Sequence, residues 1–294
     1  MGSSKKAILQ TLIYSDLFDS PLRFEQVYTF LLSSKPYPKE VIKKQIGQIP
    51  QVQKKDTYFF LVGREKLRVL RKKREQYSYE KKEKAKKIAK IISFLPTIFF
   101  VGISGGVAIE NADKDDDIDF FILTKKGTVW ITRLCVVLIL FSLGVLRTRS
   151  TKNISDRICV NMLLDETAIA IDIKLQDIYC AHEIVQLVPL YQRKNMYDTF
   201  IQANTWILQY MPHAFYIEQR VENYPARSFF DSFLSFLLSL PIVETTARII
   251  QKSVMKGHRT KETVSSSVLA FHPIDFRAKT LRAYKRKIQE YETL

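Results

Sequence analysis

Cysteine is scarce in this chain: Cys135, Cys159 and Cys180 stand far apart, and no two form a CxxC pair. That excludes a disulfide framework and a cysteine-based zinc site, and it fits a reducing compartment, so a cytoplasmic location is expected. Cys135 and Cys159 sit inside apolar runs and read as small core residues. Long hydrophobic runs are missing as well. Leu134–Leu146 (LCVVLILFSLGVL) and Phe229–Val243 (FFDSFLSFLLSLPIV) both fall short of the ~20 residues a spanning helix needs. The first reads as a buried helix. The second, interrupted by Asp231 and Pro241, reads as a helix that at most lies on a membrane surface, so stable insertion is not expected. MGSSKKAILQ has no secretory pattern, and no internal repeat is present.

Carboxylates are the third shortage. Thirty Asp and Glu face 46 Lys and Arg, giving a formal net charge of +16 and a sequence pI near 9.6. Such a balance favours anionic partners: nucleic acid, nucleotides or an acidic membrane face. The apolar share of 46% is enough for a packed core and excludes wholesale disorder. The 294 residues suffice for one large domain or two to three small ones.

What is present divides into four regions. Residues 1–63 read as three helices and a hairpin. AILQTLIYSDLF has helical apolar spacing, Ser20-Pro21 has the form of a cap and first turn for a second helix, KEVIKKQIGQI follows Pro38, and QVQKKDTYFFLVG alternates as two short strands. These are the ingredients of a winged helix-turn-helix. Its third helix carries Lys39, Lys43 and Lys44, which fit either nucleic-acid contact or a solvated docking face. Residues 64–95 read as a long basic linker helix: between Arg64 and Lys90, 13 Lys or Arg face four Glu, a net of +9. That helix is either a solvated connection or a wall that attracts a polyanion, and nucleic acid is a partner to consider for both regions.

Residues 96–180 hold the chemistry. Thr97–Val101 reads as a buried strand and Gly102–Gly106 as a turn whose glycines let backbone amides approach a phosphate. VAIEN would open a helix with an anion-favouring end. The acidic stretch ADKDDD then runs into the strand IDFFILT. Strand alternation places Asp117 and Asp119 on one face, and a divalent metal resolves the repulsion of such a pair. Asp113, Asp115 and Asp116 read as a solvated loop.

Gly105-Gly106, a short helix and loop, then Asp117-Ile118-Asp119 between two apolar strands resembles the motif of the DNA polymerase beta-like nucleotidyltransferase superfamily. WITRLCVVLILFSLGVL, RICVNMLL, QDIYCAHEIVQLVPLY and FHPIDFRAKTLRAY are similar in order to bacterial nucleotidyltransferase-domain proteins that carry an amino-terminal winged helix. The resemblance implies an α+β chain: a nucleotidyltransferase-type core with a mixed sheet, followed by a helical region over 181–294. It also implies Ser104, Gly105 and Gly106 around a nucleoside triphosphate, and two Mg²⁺ ions on Asp117 and Asp119. Active members add a third acidic residue on a later strand. The strand ICVNMLL offers Asn161 there, which is neither a base nor a good magnesium ligand, so Asp172 in AIAIDIK is the candidate third ligand. Arg133 and Arg157 are further candidates to brace phosphates, while His182 reads as a packing residue.

The activity so implied is Mg²⁺-dependent transfer of NMP from an NTP to an unidentified acceptor. Two alternatives remain at this level: a DNA-binding regulator or nucleotide sensor with a degenerate core, and a scaffold at a membrane surface. Trp206, Tyr210, Phe215 and Tyr216 in the last region read as core rather than as a base-stacking platform.

Overall fold

The computed structural model describes residues 2–148, 150–215, 221, 229–255, 263–270 and 274–292. Among them the chain is mixed α+β, with eleven α-helices and two sheets. The first 61 residues build α1 (Ser3–Asp16), β1 (Leu22–Arg23), α2 (Phe24–Thr29), α3 (Lys39–Ile46), β2 (Val52–Lys55) and β3 (Tyr58–Leu61). The strands form an antiparallel sheet in the order β1-β3-β2. The expected three helices and hairpin are all there, with one change. Pro21 does not open the second helix; the chain stays extended so that Leu22 and Arg23 pair with Phe59 and Tyr58. The helix starts three residues later, where the Arg23 N–H donates to the Gln26 side chain at 2.9 Å.

The long helix α4 (Leu67–Ile92) follows, but it is not a solvated linker. Ala85, Ala89 and Ile92 are buried in the main core, and two of its cations are sealed inside: Arg71 is 0% exposed and Lys81 2%. A lone buried charge is costly, so both need polar partners. Arg71 donates to Ser20 Oγ (3.0 Å), the Ile109 carbonyl (2.8 Å) and Glu75 (3.1 Å).

A six-stranded mixed sheet comes next: β4 (Ile98–Ser104), β5 (Ile118–Thr124), β6 (Ile158–Asp165), β7 (Val188–Gln192), β8 (Thr263–Val264) and β9 (Val268–Ala270), in the order β7-β4-β5-β6-β9-β8. Only β5 and β6 run parallel, joined by α6 (Val129–Ser142). The sheet therefore extends past residue 180. VPLYQ, expected as helix, is the edge strand β7, where Pro189 lacks a ladder donor that an edge does not demand. The stretch 258–268 (HRTKETVSSSV) reads from its sequence as an exposed connection; its residues 263–268 instead belong to the β8–β9 hairpin at the opposite edge, and 258–262 lie outside the described residues.

Alternation along β5 sorts its side chains. Ile118, Phe120 and Ile122 face a core closed by α4, α6, the short turn α5 (Gly105–Ala108) and α10 (Pro241–Met255). Phe121 and Leu123 face a second core shared with α1, α7 (Ile178–Val185), α8 (Met196–Ala203) and α11 (Ile274–Glu292). That second cluster joins the amino-terminal helices to the sheet, so residues 1–63 are packed onto the rest rather than tethered to it. Trp206, Tyr210 and Phe215 pack against it as expected, and Tyr216 lies outside the described residues.

α6 is buried on one face only. Trp130, Val136 and Leu140 are inside, while Leu138 is 55% and Phe141 71% exposed. Among the described residues no single helix is long and apolar enough to cross a membrane. α9 (Phe229–Leu238) and α10 meet that composition only together, across a 60° bend.

Candidate functional site

The end of β4 and the start of β5 bring the glycine turn to the carboxylates. Ser104 pairs with Asp119 in the antiparallel register, so the next residue, Gly105, lies beside the Asp119 side chain. Gly105 has φ +66°, and a Cβ built there would stand 2.8 Å from Asp119 Oδ2. Both facts require glycine: an L-residue is strained at that φ and would press on the carboxylate. At Gly106 a Cβ would find only ordinary contacts with Ala112 at 3.6 Å and beyond. The expected helix after the turn is a single turn, Gly105–Ala108, so it presents little dipole.

Asp117 and Asp119 share the β5 face expected of them. Asp119 is half-buried, and its carboxyl is pushed up to about 7, first by burial and then by the charge of Asp117. Asp117 accepts from Arg147, which also lies against Cys159. The third member of the group is Cys159, because the parallel pairing sets it directly opposite Asp119. Ligand atoms of Asp117, Asp119 and Cys159 all lie within 4.8 Å of one another. Burial and the two carboxylates push the thiol up to about 12, so the sulfur stays protonated at neutral pH. The expectation that Cys159 is a plain core residue is thus corrected.

The basic helix holds the acidic loop in place. Lys81 Nζ donates to the carbonyls of Lys114 (2.9 Å) and Asp116 (2.7 Å) and to Asp156 (2.8 Å). Arg74 grips both oxygens of Asp113 at 2.9 Å, a two-pronged geometry suited to a carboxylate. Asp116 accepts from the Asp113 N–H at 2.8 Å. Asp113 and Asp116 are therefore tethered rather than free in solvent, and their fixed course delivers Asp117 to the strand.

Asp172 does not join this group. The AIAIDIK stretch is a turn and a 3-10 helix (Ile173–Leu175) instead of a strand; Asp172 is exposed and caps that helix by accepting from the Lys174 N–H at 2.9 Å. Asn161 is buried in β6, two residues past Cys159. Arg133 donates to Gln251 at 2.6 Å and Arg157 to the Gly144 carbonyl, so the arginine at the carboxylates is Arg147. His182 is buried, stacks on Tyr14 at 3.9 Å and donates from Nδ1 to the Ile178 carbonyl (2.8 Å). Burial lowers its titration to about 4, in keeping with a packing role.

Beside Asp119 and the glycine turn opens a cavity of about 430 Å³, walled by α1, α2, α7 and α11. Tyr179, His182, Glu183 and Gln186 line it from α7. Glu183, across from Asp119, is pushed up to about 7 by burial and then by that carboxylate, while the Tyr179 hydroxyl donates to it. The sequence held a signal for this residue: positions 179, 182, 183 and 186 form a polar stripe at helical spacing on a helix otherwise made of Ile178, Cys180, Ala181, Ile184 and Val185. Arg147 had no comparable signal, since only the turn after α6 and its bridge to β6, Leu146 with Ile158, bring it in.

The donor set can be judged against magnesium on chemistry alone. Two hard carboxylates beside a phosphate-sized turn suit one Mg²⁺ carried by a nucleotide. A protonated thiol in the third place does not suit a second hard ion. Compared with known proteins, the chain matches no family model, no curated protein and no solved structure.

Proposed function

We propose that this protein binds a nucleoside triphosphate with Mg²⁺ and transfers its nucleotidyl group to an acceptor, on a core of the nucleotidyltransferase type. The observation that carries the reading is the contact between the glycine turn and the carboxylate pair. Gly105 approaches Asp119 so closely that no side chain fits between them, and Asp117 lies on the same strand face. A turn that offers backbone amides next to two carboxylates supplies what a metal-bound triphosphate needs: donors for the phosphate oxygens and hard ligands for the ion. Ser104, Gly105 and Gly106 would meet the phosphates, and Asp117 and Asp119 would hold the metal, which when bound polarises the α-phosphate. Arg147, already at Asp117, is placed to meet phosphate charge.

The order α1-β1-α2-α3-β2-β3 with sheet order β1-β3-β2 supports reading residues 1–63 as a winged helix. Lys43 and Lys44 are exposed on its third helix and are open to nucleic acid. A second reading has its own observation. Cys159 stands where a third carboxylate would complete a two-ion site, which favours a nucleotide sensor that binds without turnover.

Calorimetric titration of ATP, GTP, CTP and UTP with and without Mg²⁺ tests the binding, using wild type and the Asp117→Asn, Asp119→Asn double variant. Metal-dependent binding lost in the variant supports the site; equal binding without metal, or none, sinks it. Release of pyrophosphate from a bound NTP then separates the transferase from the sensor.

A further inference from the structure

The cavity next to Asp119 has a composition that a nucleotide's phosphates do not explain. Aromatic rings stand among its polar walls: Tyr14, Phe18, Phe30, Tyr179 and Phe276 all border it. Two carboxylates, Asp119 and Glu183, stand on its wall. The guanidinium that reaches it, Arg74, is held by both oxygens of Asp113 at 2.9 Å. His182 is uncharged at neutral pH, its ring stacked on Tyr14. Glu183 feels burial and the charge of Asp119, and it accepts from the Tyr179 hydroxyl.

We propose that this cavity binds a small organic amine, its ammonium group seated between Glu183 and the rings of Tyr14, Tyr179 and Phe276, and its apolar body along Phe18 and Phe30. Two physical arguments select that class. A carboxylate drawn out of water demands a cation or a proton, and an ammonium supplies the first while leaving the Tyr179 hydrogen bond intact. Aromatic faces attract cations, and the attraction grows as water is excluded. Anions are disfavoured by the same carboxylates. A long polymer is disfavoured by volume, since about 430 Å³ is within the range for a small molecule. The binding stands apart from any nucleotide. Its identification as the acceptor pocket rests on the nucleotidyl-transfer reading, which the shared wall of Asp119, Gly105 and Gly106 supports.

The test is a pair of probes of nearly equal shape, tyramine and its neutral alcohol analogue tyrosol. Each is titrated calorimetrically into the full chain in EDTA without nucleotide, so that failure of the nucleotide reading cannot affect the result. Wild type should bind tyramine at least tenfold more tightly than tyrosol, and Glu183→Gln should reduce that ratio to near one while keeping its far-ultraviolet circular dichroism. Equal binding of the two probes to wild type overturns the proposal, as does no binding of either at millimolar concentration. An unchanged preference in Glu183→Gln also overturns it. If that variant does not fold, the comparison on wild type decides alone.

Discussion

Replacing Gly105 and Gly106 by alanine, one at a time, separates a backbone requirement from a merely small residue. At Gly105 the φ of +66° is left-handed, and an alanine there costs about 1–2 kcal/mol from the contact of its Cβ with the backbone. The added methyl would also stand 2.8 Å from Asp119 Oδ2, so the carboxylate must shift by several tenths of an ångström. At Gly106 neither penalty applies. The backbone is not left-handed, the nearest atom is at 3.6 Å, and alanine in a helical turn gains roughly 0.5–1 kcal/mol over glycine. The two variants should therefore differ by about 2 kcal/mol, with Gly105→Ala below wild type and Gly106→Ala level with it or above. For a chain of this size that is a gap of several degrees in melting temperature, at roughly 2–4 °C per kcal/mol. Urea unfolding followed by circular dichroism reads the stability, and Mg²⁺-ATP titration reads the site. Gly105→Ala as stable as Gly106→Ala would refute the close approach. Gly105→Ala with the expected stability loss but wild-type nucleotide binding would refute the use of that approach for phosphate.

Three other substitutions or conditions probe the same region. Lys81→Met strands two carbonyls and removes one of two lysines from Asp156, so a loss of about 3 kcal/mol is expected; hydrogen exchange should show residues 113–116 opening first, and a loss below 1 kcal/mol would contradict the clamp. Asp119 and Glu183 both titrate near 7 when folded, above their ordinary values of 3.8 and 4.5. The unfolded chain thus releases these protons first, and their contribution, fully present below the unfolded values, is lost as pH rises toward 7. The urea midpoint should therefore rise between pH 8 and pH 6, and by less in Glu183→Gln; a midpoint falling over that range would show that the two carboxyls are not held apart from water. Cys159→Asp adds a third carboxylate within the group, which should destabilise the metal-free protein and let Mg²⁺ restore it. An urea midpoint in that variant unaffected by 5–10 mM Mg²⁺, a range on the order of weak oxygen-ligand sites, would count against a metal between Asp117 and Asp119.

Local chemistry was legible in the sequence where it depended on neighbours in the chain. Pro38 ahead of α3, the alternation of β5 and the glycines before the acidic loop each act within a few residues, and the helix, the strand face and the turn follow. What depended on pairing was not. AIAIDIK has the apolar alternation of a strand but pairs with no strand in the structure, and Asp172 ends on the surface. VPLYQ has helical neighbours and a proline, yet an edge of β4 is available to it and its backbone takes that partner. Cys159 acquires its position from a register between parallel strands that the sequence does not state.

Charge is the feature on which composition misleads most. The excess of cations along α4 suggests a surface for polyanions, but several of these cations meet carboxylates of this same chain. Arg68 and Lys72 meet Asp56, Arg74 meets Asp113, Lys81 and Lys84 meet Asp156, and Lys82 meets Glu110. Lysines and carboxylates read separately as a basic wall and a solvated loop are one structure, and its product is a fixed Asp117. Arg147 completes the logic. Its pair with Asp117 is partly open to water, with 38% of the arginine side chain exposed, and such pairs contribute only about 0–1 kcal/mol. On the nucleotide reading, Arg147 would exchange Asp117 for a phosphate oxygen at small cost, and Asp117 would be freed to hold the metal. The arginine then guards the carboxylate pair against its own repulsion only while the site is empty, and Arg147→Ala should raise the need of the folded protein for Mg²⁺ rather than abolish it.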